Sequence, residues 1–308
     1  MPTFWDARYK NPSVNRIAEH WFIDYLPVFE RVKKEWNIPI RNFYKKIMSV
    51  HLKEDDNSSN ANSSSIRIHI EPIADMKMLM EIDYLFGNID FRQIDILKKF
   101  LVAAEPSLPL FSEDSPHDEH LADIIALTKK KLDKLDPRQF NNDLFKIFFE
   151  GDTDIFGRYY LKGGIVLYVI PCVLFCEANG LDLYTFVVMI LAHELAHGYN
   201  HRGKDKDNYM WKNFGRVDTM VLEGLAQYYT YEFLKKQLHK LEEGKRTFMY
   251  LLKYQAIQYR CFEEWDTTPE KIYSTFIEFR RGEYNKYEDF LQMLAGAKIR
   301  IHGDVVDD

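Results

Sequence analysis

Residues 191 to 202 read LAHELAHGYNHR, and this stretch decides how the rest of the chain is read. On a helix that advances about 100° per residue, His193 and His197 differ by about 40° and lie one turn apart, so both imidazoles point to one place. That is metal-ligand geometry. Glu194 falls about 100° round from His193, where its carboxylate reaches a water held at that point without joining the ligands. The expected role of Glu194 is general base.

The surrounding residues place this motif on a packed helix. Asp182 is a suitable N-cap for a helix running from Leu183 to about Gly198. Tyr184, Val188, Leu191 and Leu195 form an apolar stripe opposite the histidines. Phe186, Met189 and Ile190 make the histidine side apolar as well, so the first two turns are expected to be buried all round. Only the last turns are then expected to open to a cleft.

Two histidines leave a metal site incomplete, because a catalytic zinc centre has three protein ligands and keeps a fourth position for water. A longer motif, HExxHxxGxxH, needs glycine at 200 and histidine at 203. The chain has Asn200 and Gly203, which excludes that class. The segment VLEGLAQYYT, 221 to 230, supplies Glu223 instead. A loop and a turn bring its helix back against the first one. Gly224 and Ala226 remove bulk beside Glu223, which lets two helices share one ion, and Gln227 is placed to hydrogen-bond a ligand. His201 is the substitute ligand if Glu223 is not used. The implied cofactor is one zinc ion per chain.

HELAH at 193 to 197 and EGLAQYY at 223 to 229 resemble the gluzincin metallopeptidases, the class of the thermolysin-like enzymes and the zinc aminopeptidases. The resemblance runs from about residue 157 onward. It implies a zincin-like α+β fold: a small mixed sheet with an edge strand, then the HExxH helix, then a mainly helical C-terminal lobe. In that class an edge strand aligns the substrate backbone, and Gly164 to Tyr168 is the matching segment here. The class mechanism uses Glu194 to take a proton from a metal-activated water and pass it to the leaving amine. A further donor stabilises the oxyanion, with His201, Tyr228 and Tyr229 as candidates. The spacing from His197 to Glu223 is longer than in the two familiar groups and no GAMEN-like element lies upstream, so aminopeptidase specificity is not implied.

Composition bounds the rest. The chain has 308 residues and a formal net charge of -6, which is no basic field for nucleic acid. Lys129 to Lys131 reads as a solvated helix face. Cys172, Cys176 and Cys261 are too few for a disulfide framework, and their spacing fits neither a zinc ribbon nor a redox motif. The N-terminus lacks the apolar region of a secretory signal, and Ile165 to Cys176 is too short to span a bilayer. The expectation is a cytoplasmic protein without a membrane segment, acting on a peptide or protein substrate.

Residues 1–150 read as a mixed α and β region and 151–308 as the zincin-like domain. Val14 to Trp36, Phe91 to Ala104 and His120 to Leu135 have helical spacing. The segments 48–52 and 66–71 alternate with period two, so the polar stretch 54–65 is expected to join two antiparallel strands. Pro171 suits the first turn of a short helix that Asn179-Gly180 ends. Beyond Tyr229 the helical stretches are Tyr231 to Glu264, Pro269 to Arg281 and Tyr284 to Ala297. His117 to His120 is ligand-rich but sits in a Pro- and acid-rich loop, and no metal role is expected for it. Arg280 and Arg281 read as a solvated pair rather than a carboxylate clamp.

Two rival readings remain. In one, the fold is a binding or regulatory module whose metal is structural. In the other, a deformylase-like hydrolase takes its third ligand from an upstream cysteine, Cys172 or Cys176, which leaves Glu223 without a role.

Overall fold

A computed structural model of the chain describes residues 22–52, 66–74, 123–130, 155–161, 164–237, 239–241 and 243–296. The elements in order are α1 (Leu26–Ile47), β1 (Arg67–Glu71), β2 (Gly157–Tyr160), β3 (Gly164–Tyr168), α2 (Val169–Asn179), α3 (Leu183–Arg202) and α4 (Thr219–Gln237). They are followed by α5 (Gly244–Leu252), α6 (Ile257–Arg260), α7 (Pro269–Arg281) and α8 (Tyr287–Leu294). Single 3-10 turns occupy Phe214–Arg216 and Cys261–Glu264. The described fold is a mostly helical α+β arrangement with one three-stranded mixed sheet of order β1-β3-β2.

The chain divides into two compact units. One comprises Met1–Pro27, Glu71–Ile155 and Tyr168–Leu181. It contains α2, an apolar helix that ends where Gly180 takes up a left-handed conformation, φ 61°, and its N–H bonds the carbonyl of Cys176. That backbone is open to glycine at little steric cost, which is why Asn179-Gly180 stops the helix.

The other unit comprises Val28–Ile70, Phe156–Leu167 and Asp182–Asp308 and carries the HExxH helix. The Asp182 side chain accepts from the N–H of Thr185 at 2.8 Å and so starts α3 as expected. Burial is continuous from Thr185 to Asn200, so α3 is a core helix on all sides, and only His201 and Arg202 at its end are part-exposed. It also runs one turn beyond Gly198, to Arg202.

Helices α1, α4 and α5 and the strand β2 pack on α3. Helix α1 presents Phe29, Val32, Trp36, Ile40 and Tyr44 at helical spacing, all buried. Burying aliphatic and aromatic side chains of this size contributes roughly 1.5–3 kcal/mol each. The Tyr44 hydroxyl donates to the carbonyl of Ala192 at 2.9 Å, and the Tyr44 ring meets those of Tyr199 and Tyr229 edge-on. Helix α4 lies along α3. The β2–β3 hairpin is antiparallel, with Gly157 opposite Leu167 and Tyr159 opposite Ile165.

Several expectations change. Gly164 to Tyr168 is the central strand of the sheet, and the edge strand beside the motif helix is β2. Central strands are buried on both faces and read as continuous apolar runs, which is the pattern of IVLY. Residues 48–52 do not pair with 66–71. Met48, Val50 and Leu52 are buried alternately with exposed Ser49 and part-exposed His51, as their period predicts, but His51 bridges Lys204 beyond the motif helix. Helix α1 passes through Trp36 and Pro39 to Ile47. Pro39 faces solvent, so the helix loses one internal hydrogen bond and keeps its buried stripe.

The stretch Tyr231 to Glu264 is broken between α4, α5 and α6, whereas α7 has the expected bounds, with Thr268 as N-cap and Pro269 in its first turn. Residues 123–130 are helical, with Lys129 and Lys130 exposed. The expected helix at 91–104, the loop at 54–65 and the ligand-rich 117–120 lie outside the described residues.

Candidate metal centre

Two helices deliver three ligand atoms to one point. From α3, Nε2 of His193 and Nε2 of His197 lie 3.0 Å apart with their rings nearly perpendicular. From α4, Oε2 of Glu223 lies 3.1 Å from the first and 3.3 Å from the second. Side-chain exposure is 11%, 10% and 17%, so the triad is largely but not wholly shielded from solvent. His193, His197 and Glu223 form a group that can hold a metal ion.

The donors fit such an ion. Ligands about 2.0–2.1 Å from a tetrahedral centre stand roughly 3.3 Å from one another, close to the three separations found here. Two imidazoles and a carboxylate suit a borderline divalent ion. Burial acts to raise the pKa of Glu223, but the facing His197 and His193 outweigh it and hold the carboxyl far below its ordinary range. Glu223 therefore stays an anion, which a ligand must be.

Around the triad, β2 alternates. Gly157 and Tyr159 share one face and Arg158 and Tyr160 the other. A Cβ at Gly157 would stand 2.7 Å from Cγ2 of Ile190 and 3.0 Å from Cγ of Glu194, so glycine lets the edge strand touch the helix beside Glu194. Tyr159 stacks parallel to His197 at 6.5 Å and its hydroxyl is 2.9 Å from Nδ1 of His201. Phe214 stacks on His201 at 4.7 Å and meets His197 edge-on. On the far side, the ring of Tyr259 in α6 lies 5.9 Å from that of His193.

His193, His197 and Glu223 come together, and Glu194 lies against the edge strand. His201 bonds Tyr159 and is not among the ligands. Gln227 is one turn from Glu223, yet its amide donates to Gln255 at 2.7 Å instead of to a ligand. Tyr228 packs beside Trp265, and Tyr229 points into the core against Tyr44 and Phe276. Cys172 and Cys176 are buried thiols in α2 and do not belong to the ligand group.

Arg280 is not solvated. It is fully buried and donates to the carbonyls of Gly203 and Tyr209, closing the loop that follows the motif helix. Arg281 pairs with Asp205 and Asp207 on the same loop.

Tyr159, Gly157 and Tyr259 were not singled out as site residues. For Gly157 and Tyr159 the available signal was the strand alternation, which puts both on one face. Tyr259 lies in a four-residue helix without periodicity or motif, so nothing local marks it.

Comparison of the chain with protein-family models, with curated proteins and with solved structures finds no match in any of the three. Among the described residues, no helix is long and apolar enough to cross a membrane.

Proposed function

We propose that this chain is a zinc-dependent peptidase of the gluzincin type with a zincin-like fold, acting on a peptide or protein substrate. The observation that carries the reading is the meeting of His193, His197 and Glu223 at separations of 3.0, 3.1 and 3.3 Å, with Glu194 on the same helix and against an edge strand. Two histidines and a glutamate are a donor set of catalytic zinc, which leaves one position for water and substrate.

Bound there, zinc supplies Lewis acidity to a scissile carbonyl and to a water molecule. Glu194 takes the proton of that water as it attacks and passes it to the departing amine. The backbone of β2, at the end of the strand order, offers N–H and C=O groups that align an extended peptide. Tyr259, beside His193, offers a hydroxyl to the oxyanion, and we prefer it to Tyr229, which faces the core. Three buried free thiols suit the reducing conditions of the cytoplasm.

The test is a peptide-library digestion by the zinc-loaded chain, read by mass spectrometry, beside Glu194→Gln. We expect cleavage by the wild type, one zinc per chain in both proteins, and a loss of rate by about 10²–10⁴ in the variant. Undiminished cleavage by Glu194→Gln would overturn the mechanism. Zinc bound by the wild type with no peptide cut would favour a binding or regulatory module.

A further inference from the structure

We infer that Cys261 and Trp265 position the third metal ligand, acting on Glu223 through the bare backbone of Gly224. This rests on His193, His197 and Glu223 binding a metal ion. Helix α4 carries Glu223 and, next to it, a glycine in the helix interior, where glycine is the least favourable ordinary residue after proline. The reason for it lies across the helix. A Cβ at 224 would stand 2.6 Å from Sγ of Cys261 and 2.9 and 3.0 Å from Cζ2 and Cη2 of Trp265. No rotation of the helix about its own axis relieves both contacts without carrying Glu223 with it.

The surface that Gly224 rests on is itself fixed. Sγ of Cys261 donates toward the carbonyls of Met220, at 3.1 Å, and Gln258, at 3.2 Å, the first of which belongs to the opening turn of α4. Cys261 and Trp265 are 1% and 5% exposed. Trp265 donates from Nε1 to the hydroxyl of Tyr287 at 3.1 Å and packs on Phe290, both in α8. The same segment of chain carries Gln255, bonded to Gln227, and Tyr259, set against His193. Residues 255–265 therefore form a strap that touches α4 one residue after Glu223 and one turn beyond it. A helix free to slide by a few tenths of an ångström would change the separation of Oε2 from the two imidazoles, and metal affinity is sensitive to such supports.

The test measures zinc affinity by chelator competition and apoprotein melting in parallel, for wild type, Gly224→Ala, Gly224→Ala with Cys261→Ala, and Phe29→Leu. Because alanine favours helix, Gly224→Ala in an unconstrained helix would leave zinc binding unchanged. We expect instead that Gly224→Ala weakens zinc about tenfold or more, and that adding Cys261→Ala recovers about threefold or more. Phe29→Leu, remote in α1, lowers the apoprotein melting temperature and leaves zinc affinity unchanged. Should Gly224→Ala not fold, Trp265→Phe takes its place and is expected to weaken zinc as well.

A folded Gly224→Ala or Trp265→Phe with wild-type affinity overturns the inference, as does a loss in Gly224→Ala that Cys261→Ala leaves unrelieved. So does a Phe29→Leu chain that loses zinc in proportion to its stability. Wild-type protein that binds no divalent ion overturns the metal site itself, and the inference with it.

Discussion

The hydroxyl of Tyr159 lies 2.9 Å from Nδ1 of His201, and this bond ties the edge strand β2 to the last turn of the motif helix α3. Burial pushes the Tyr159 phenol up, so it keeps its proton and donates. Burial, reinforced by the charges of Arg202 and Arg280, pushes His201 down to about 4, so near neutral pH its ring is uncharged and Nδ1 accepts. The remaining ring proton is then on Nε2.

From this follows a pH dependence with a definite sign. The folded value of His201 lies below its ordinary 6.5, so between pH 6.5 and 4 the unfolded chain binds a proton that the folded chain does not. Stability therefore falls as pH falls through that window. His201→Gln removes this contribution. From pH 7 to 4.5 the urea midpoint of the metal-free wild type is expected to fall relative to that of His201→Gln. Parallel curves would show that His201 is not the group responsible.

The ligand triad predicts a second linkage. Ion binding to the folded chain alone raises stability by about 2.7 kcal/mol at a hundredfold excess over Kd. Zinc is expected to raise the melting temperature of the wild type and to leave Glu223→Ala nearly unmoved, since one of three ligands is gone. His201→Ala is expected to retain the zinc shift. A scan in which His201→Ala loses the shift and Glu223→Ala keeps it would move the third ligand to His201.

These two residues also mark how far the sequence could be read. The triad was legible because helix periodicity converts spacing into direction: His193 and His197 face one way whatever surrounds them, and a glutamate beside small residues announces a close helix pair. The capping of α3 by Asp182 and of α2 by Gly180 is equally local, and both were readable. What depends on contacts between distant segments was not. Alternation at 48–52 reported burial correctly but could not name Lys204 as the partner, because a strand's period says which face is inward and nothing about its neighbour. The resemblance makes Gly164 to Tyr168 the edge strand, although its unbroken apolar run is the mark of a central strand. Arg280 offers no sequence sign of burial, since its two carbonyl partners lie more than seventy residues upstream.

Arg280 supplies a third prediction. It is fully buried and donates to the carbonyls of Gly203 and Tyr209; the N–H of Asp205 also reaches the second, so Arg280→Met strands the buried carbonyl of Gly203. An unsatisfied buried polar group costs about 1–3 kcal/mol. The urea midpoint of Arg280→Met is expected to drop accordingly, with zinc stoichiometry retained once the chain is folded. Arg281→Ala, which removes a more exposed side chain from Asp205 and Asp207, is expected to matter much less. Equal losses in the two variants would contradict the burial argument.

The final prediction concerns the two sides of the metal centre. Tyr259 approaches His193 from α6, whereas Tyr229 turns its ring toward Tyr44 and Phe276 in the core. If the Tyr259 hydroxyl meets charge that develops only as the carbonyl is attacked, its removal acts on kcat and not on substrate or zinc binding. Tyr259→Phe is therefore expected to lower kcat by about 10²–10³ with KM and zinc content near wild type. The same deletion at Tyr229 leaves a packed ring in place and is expected to leave kcat unchanged. Kinetics in which KM rises while kcat holds would make Tyr259 a wall of the substrate groove, and the oxyanion donor would then have to be sought at Tyr228 or His201.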